Sequence, residues 1–242
     1  MKNEQVDLWG QSGHMDMEAF PTLQKTDAFA FACAGCGDCC RGREDIVLSG
    51  YDLWRIAHAL QLPPAVVVRS FCRQYTGTDS GMPVVRLKPV KGEKNSCPFL
   101  YHSKCTIHQA KPLVCALYPL GQSIDEDGTV HYFQQPTDCG GQVIRAKVSD
   151  YLDIYQIQQR EPLDVLWAQT CLALSQRVQA LCAADPIRGK LAQRKIYCAL
   201  YLDYDSAQEY APQFAANRAA LDAALTQLEE QVRKQTKMHR QA

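Results

Sequence analysis

Cys33-Ala34-Gly35-Cys36-Gly37-Asp38-Cys39-Cys40-Arg41-Gly42-Arg43 is the stretch on which the reading of this 242-residue chain turns. Four cysteines stand within eight residues, and Gly35, Gly37 and Gly42 lie between or just after them. Glycine lets a backbone curl tightly and brings its N–H groups close to an anion. Thiolates joined by two-residue spacers are how a short loop wraps a soft metal ion or an iron–sulfur cluster. A set of disulfides is the alternative, so the redox compartment has to be read first.

Basic and acidic side chains number 26 each, so the overall charge directs the chain to neither nucleic acid nor membrane. The opening residues, Met1 to Asp7, lack the apolar core of a secretory signal. No run reaches the ~18 apolar residues of a membrane span. The chain therefore reads as cytoplasmic. In a reducing compartment its twelve cysteines more often bind metal or do redox chemistry than form staples. A chain this long can also bury a core without disulfides.

Outward from the cysteine loop, residues 1–26 are polar and read as a loose leader. Asp45 to Leu48 reads as a short strand. Ser49 with Asp52 is a capping-box start for a helix carrying Leu53, Ile56, Ala57 and Leu60 at helical spacing. Pro63-Pro64 opens a second helix, with Val68, Phe71, Cys72 and Tyr75 expected on one face. Val84 to Val90 alternates like a strand. A small hairpin is expected to end near Ile107, with helical turns around Cys115. Ser123 to Phe133 forms a hairpin around Asp127-Gly128. From Val148 the pattern is helical. Ser149 caps a helix through about Gln159, and a longer one carrying Leu163 to Leu181 stops at Asp185-Pro186. A third helix covers Leu191 to Leu202. Ser206 with Glu209 forms a capping box for the last one, whose stripe is Leu221, Leu225, Leu228 and Val232. The fold class is α+β, mostly helical. A cysteine-rich region over 27–147 is followed by a helical region over 148–242 packed on it.

The twelve cysteines divide by context. Cys72, Cys171, Cys182 and Cys198 fall among helical apolar residues and read as small core side chains. Cys33, Cys36, Cys39, Cys40, Cys97, Cys105, Cys115 and Cys139 stand in loops and turns, and these eight are the candidate metal ligands. Successive side chains of an extended segment diverge, so Cys39 and Cys40 suggest two metals, a polynuclear cluster, or one ligand beside an accessory thiol. Eight thiolates fill two tetrahedral zinc sites, and four hold one [4Fe–4S] cluster. Arg41 and Arg43 are placed to offset thiolate charge. His108, three residues after Cys105, reads as a structural histidine ahead of a ligand. No phosphate-cradling loop, nucleophile elbow or dinucleotide fingerprint is present.

Cys33-x-x-Cys36-x-x-Cys39-Cys40, then Cys97-Pro98-Phe99-Leu100, Cys105-x-Ile107 and Pro112-x-x-Cys115-x-x-Tyr118-Pro119, resembles the CxxCxxCC (YkgJ-type) cysteine cluster family of zinc- or iron-chelating proteins. The resemblance spans roughly residues 30–145. Where that family usually carries a tyrosine and an arginine, this chain has His108 and Lys111. Flagellin lysine methylases are similar in the same two stretches, which implies an iron–sulfur cluster. Three functions follow as expectations. The first is a cytoplasmic protein that holds zinc or iron, as ions or as an iron–sulfur cluster. The second is an S-adenosylmethionine-dependent protein methylase. The third is a structural zinc module that docks a protein partner through the last helix.

Overall fold

A computed structural model describes residues 20–43, 46–92, 95–137, 139 and 146–241. In chain order its elements are β1 (Thr22–Leu23), β2 (Ala28–Phe29), β3 (Val47–Leu48), α1 (Gly50–Leu60), α2 (Pro64–Phe71), β4 (Cys72–Thr76) and β5 (Pro83–Leu87). Then come β6 (Leu100–Tyr101), β7 (Lys104–Cys105), α3 (Leu113–Leu117), β8 (Leu120–Ile124), β9 (Val130–Gln134) and β10 (Ala146–Lys147). The chain ends in α4 (Val148–Ile154), α5 (Ile157–Ala184), α6 (Pro186–Tyr197) and α7 (Tyr210–Gln241). Small antiparallel sheets, ordered β1-β9-β8, β10-β2, β3-β5-β4 and β6-β7, carry the first half, and helices dominate the second. The fold is α+β and mostly helical, with the cysteine-rich part N-terminal.

Local chemistry explains most of the element starts. Ser49 Oγ accepts the Asp52 N–H at 3.0 Å, and the Asp52 carboxylate accepts the Ser49 N–H at 3.1 Å, closing the capping box on α1. Pro64 opens α2, where a missing N–H costs nothing. Asp185 accepts from Ile187 and Arg188 N–H groups and starts α6. Gly128, at φ +89°, turns the chain between β8 and β9.

Four local expectations are corrected. Cys72 and Tyr75 are not on α2; that helix stops at Phe71, and Cys72–Thr76 pairs residue for residue with β5. Strand pairing overrides the helical spacing there. The helix expected through Gln159 breaks at Gln156, whose left-handed φ of 54° separates α4 from α5. The helix expected to start at Leu191 begins at Pro186 and widens into a π-turn over Cys198–Leu202. Ser206 caps no helix: its hydroxyl donates to the Leu62 carbonyl at 3.3 Å, and α7 starts at Tyr210. The leader expected over 1–26 lies outside the described residues up to Ala19, and Thr22–Leu23 pairs with β9.

Two apolar cores hold these elements together. The larger joins α1, α2 and β3–β5 to α5, α6 and α7, from Leu48, Leu53 and Val85 to Val178, Ile196 and Leu225. The smaller joins Phe29, Leu117, Leu120 and Tyr132 to Val148, Leu152 and Ile157. Both draw on residues from either side of position 147. The stripe of α7 is spent inside its own chain, with Leu221, Leu225 and Leu228 buried in the larger core. Leu225 is fully buried. Leu225→Ala is expected to lower the unfolding free energy by about 2–5 kcal/mol, the scale of a buried leucine truncation. Urea melts check this, and an unchanged midpoint would contradict the buried seat of that helix.

Candidate metal centre

The first cysteine loop is fixed by its turn and by the strands beside it. Gly37, at φ +73°, leads into a 3₁₀ half-turn over Asp38–Cys40. A side chain at Gly37 would meet the Ser103 carbonyl at 3.0 Å and Leu100 at 3.1 Å, so the loop lies directly on the β6–β7 hairpin. Arg41 fastens it there, donating to the Cys36 carbonyl at 3.0 Å and to Ser103 Oγ at 2.9 Å. The two cysteine stretches meet through the backbone: the Cys97 N–H donates to the Cys40 carbonyl at 2.7 Å. Cys105 follows on β7, and Cys115 on α3. From the other side, Cys139 Sγ comes to 3.3 Å from Cys36 Sγ. Thr137 steadies that approach by accepting the Cys139 N–H at 3.0 Å, and it hydrogen-bonds Tyr118 at 2.7 Å.

All twelve cysteines are free thiols, and Cys33 is the exposed one. Cys97, Cys105 and Cys115 pack against the larger core. A hydrogen bond from Cys40 draws the Cys39 thiol down to about 6 against the opposing effect of burial, with help from Lys111 and Arg43. The same bond raises Cys40, as do burial and the charges of Cys39, Cys97 and Cys115. Burial first, and neighbouring thiolates after it, raise Cys115, Cys97 and Cys105. Burial, the Cys36 contact, and the charges of Cys36, Cys33 and Cys39 push Cys139 up to about 11. Cys40, Cys97, Cys105, Cys115 and Cys139 thus resist ionisation, and a bound cation would offset that resistance. The half-turn over Asp38–Cys40 stands where an extended segment would make the Cys39 and Cys40 side chains diverge.

Two neighbours supply positive charge and packing. Burial pulls the Lys111 pKa down, but Tyr155 and the Cys33 and Cys105 thiolates outweigh it, so the ammonium is kept. His108 packs on Tyr155 with ring centres 5.7 Å apart, and burial with Lys111 holds its imidazole below the ordinary range.

Among the described residues, no three His, Cys, Asp or Glu side chains converge on one ion position as they stand. The donor set nonetheless suits a borderline or soft cation such as zinc or iron. The Cys36–Cys139 separation of 3.3 Å is near the ~3.8 Å edge of a tetrahedral thiolate site with ~2.3 Å metal–sulfur bonds.

The other four cysteines lie apart. Burial pushes Cys72 and Cys171 up to about 12. Cys182 packs on Gly189, where an added Cβ would come to 2.5 Å from its sulfur. Cys198 begins the π-turn.

A buried ion network supports the second cysteine stretch, and sequence reading missed it. Arg160 grips Asp164 with two bonds of 2.7 and 2.8 Å and reaches Asp52 at 2.9 Å. Asp52 also accepts the Leu113 N–H at 3.0 Å, which starts the helix that carries Cys115. Asp52 also receives hydrogen bonds from Ser49. Burial pushes Asp164 up to about 6 against the pull of Arg160. The four-residue spacing of Arg160 and Asp164 was the available signal.

Residues 32–140 match the family model CxxCxxCC, described as "Putative zinc- or iron-chelating domain". No curated protein and no solved structure matches the chain. Metal chelation is thus the activity to which the matched segment points.

The pH dependence of the network follows from Asp164. Its folded pKa of about 6 exceeds the ~3.9 of an unfolded chain. As pH rises, the unfolded chain gives up this proton first. The stability contributed by Asp164 is thus complete below ~4 and is lost as pH climbs through ~6. The stability of wild type relative to Asp164→Asn is expected to fall across that window and to stay level above it. Parallel melting curves for the two proteins from pH 4 to 7 would show the assignment to be wrong.

Proposed function

We propose that this chain is a thiolate metal-binding protein that holds zinc or iron through Cys33, Cys36, Cys39, Cys40, Cys97, Cys105, Cys115 and Cys139. One observation carries the reading. The Cys97 N–H bond to the Cys40 carbonyl joins the two cysteine stretches, and Cys139 Sγ lies 3.3 Å from Cys36 Sγ, so the candidate thiols gather at one loop. The match of residues 32–140 to a chelating-domain model supports the same chemistry. The ligating thiols would release their protons on binding, and the metal would contribute to the folding free energy. Zinc would be held as a closed thiolate site, and iron as an ion or as a [4Fe–4S] cluster, which takes four thiolates. Free thiols of this kind fit a reducing compartment such as the cytoplasm. None of the described helices is long and apolar enough to cross a membrane.

Metal analysis of protein purified without oxygen tests the proposal, with an absorption spectrum beside it. Stoichiometric zinc or iron is expected, and a broad band near ~400 nm would mark an iron–sulfur cluster. Cys39→Ser is expected to lower the metal content, while Cys171→Ala and Cys182→Ala leave it at the wild-type level. Equal loss in both groups, or no metal in the wild type, would overturn the reading.

A further inference from the structure

Cys36 and Cys139 are 103 positions apart in the chain, and their sulfurs meet at 3.3 Å. Both backbones are held where they meet. Arg41 donates to the Cys36 carbonyl at 3.0 Å and to Ser103 Oγ at 2.9 Å, which ties this end to the β6–β7 hairpin. Thr137 accepts the Cys139 N–H at 3.0 Å, and its hydroxyl lies 2.7 Å from that of Tyr118, which ties the other end to the residue after α3. Among the described residues two sulfurs meet here, with no third His, Cys, Asp or Glu at a shared ion position. Neighbouring thiols are engaged elsewhere. Cys33 Sγ accepts the Gly35 N–H at 3.4 Å, and Cys97, Cys105 and Cys115 pack against the larger core. Cys36 and Cys139 are both part-exposed, within reach of a small reagent in solvent.

We propose that Cys36 and Cys139 form a reversible dithiol–disulfide couple, a redox modification site where the cysteine loop meets the segment beyond β9. The sulfurs have to close from 3.3 Å to the ~2.05 Å of a disulfide, a local adjustment between two anchored backbones. The oxidant is a low-molecular-weight disulfide. The thiolate of one cysteine attacks a sulfur of the reagent, whose S–S bond breaks; one half leaves, and the other stays on the protein as a mixed disulfide. The second cysteine loses its proton and attacks the protein sulfur of that mixed disulfide, expelling the second half. The protein sulfurs give up two electrons to the reagent, and its two halves leave as thiols carrying the two protons. A reducing dithiol reverses each step. In a reducing compartment such a disulfide is transient and suited to redox sensing. The pairing stands on the geometry alone. Its consequence rests on the metal-binding reading: oxidation withdraws two of the eight candidate ligands, so metal held by them is released as the pair closes.

The test uses the full chain, reduced, freed of metal with a chelator, and exposed under native conditions to oxidised glutathione without oxygen. Remaining thiols are then alkylated in denaturant and counted by intact mass, and peptide mapping locates any cross-link. The expected product has two alkylated thiols fewer than the twelve of the reduced chain, a Cys36–Cys139 cross-link, and full recovery with dithiothreitol. Cys36→Ser and Cys139→Ser should each stop at the first step, with one glutathione held on the partner thiol left behind. A cross-link between other cysteines, a wild-type chain that keeps all its thiols, or a cross-link that persists in both variants would overturn the couple. Zinc(II) tests the consequence separately. The reduced chain loaded with zinc should resist oxidation, and the oxidised chain should take up less zinc. Oxidation at the metal-free rate with zinc bound would overturn the link between the pair and the metal. A reduced chain that takes up neither zinc nor iron defeats the metal-binding reading, while the Cys36–Cys139 cross-link in that same chain still upholds the couple.

Discussion

Arg160 is 3% exposed, and a guanidinium so far from water survives only if its charge is answered in place. Asp164 answers it from the next turn of α5, and Asp52 from the first turn of α1. Removing one partner of such a group costs about 3–5 kcal/mol, because the other is left buried and unpaired. The arrangement couples three element starts. Asp52 belongs to the box that begins α1, its carboxylate receives the N–H that begins α3, and Arg160 sits near the start of α5. Cys115 is two residues beyond Leu113, so a thiol of the cluster takes its position from an ion pair with the helical half of the molecule.

The cluster and the network solve opposite electrostatic problems. In the network a buried cation is met by two carboxylates already in the fold. In the cluster, thiols are assembled whose charges oppose one another, with Lys111, Arg43 and backbone contacts as partial compensation. The network is answered within the chain, whereas the crowded thiols of the cluster are what a cation from outside would balance. That asymmetry is the physical reason to read one as scaffold and the other as a binding site.

The cysteine frame and the fold class were legible because both are local patterns. Spacing singled out the cysteine pattern that the family model matches, and the Ser49–Asp52 box and the Asp127-Gly128 turn were visible as short-range chemistry. What was not legible depended on partners distant in sequence. Cys72 and Tyr75 obeyed helical spacing until β5 offered a strand to pair with. Ser206 looked like a cap until the Leu62 carbonyl took its hydroxyl. Asp52 was read as a capping residue, and its second role appears only when α5 brings Arg160 across 108 positions of chain. The Cys36–Cys139 approach likewise needed the Tyr118–Thr137 contact to carry the chain back.

Both apolar cores straddle position 147, and this bears on how the molecule can be dissected. The chelating-domain match ends at residue 140, yet Leu117, Leu120 and Tyr132 within it complete their packing on Val148, Leu152 and Ile157 beyond it. Leu48, Leu53 and Val85 do the same on Val178, Ile196 and Leu225. A gene fragment cut to the matched boundary would therefore encode every candidate ligand while exposing half of each core to water. The unit that recurs in sequence is smaller than the unit that holds its shape, and the helices past residue 147 are the missing walls of the same room.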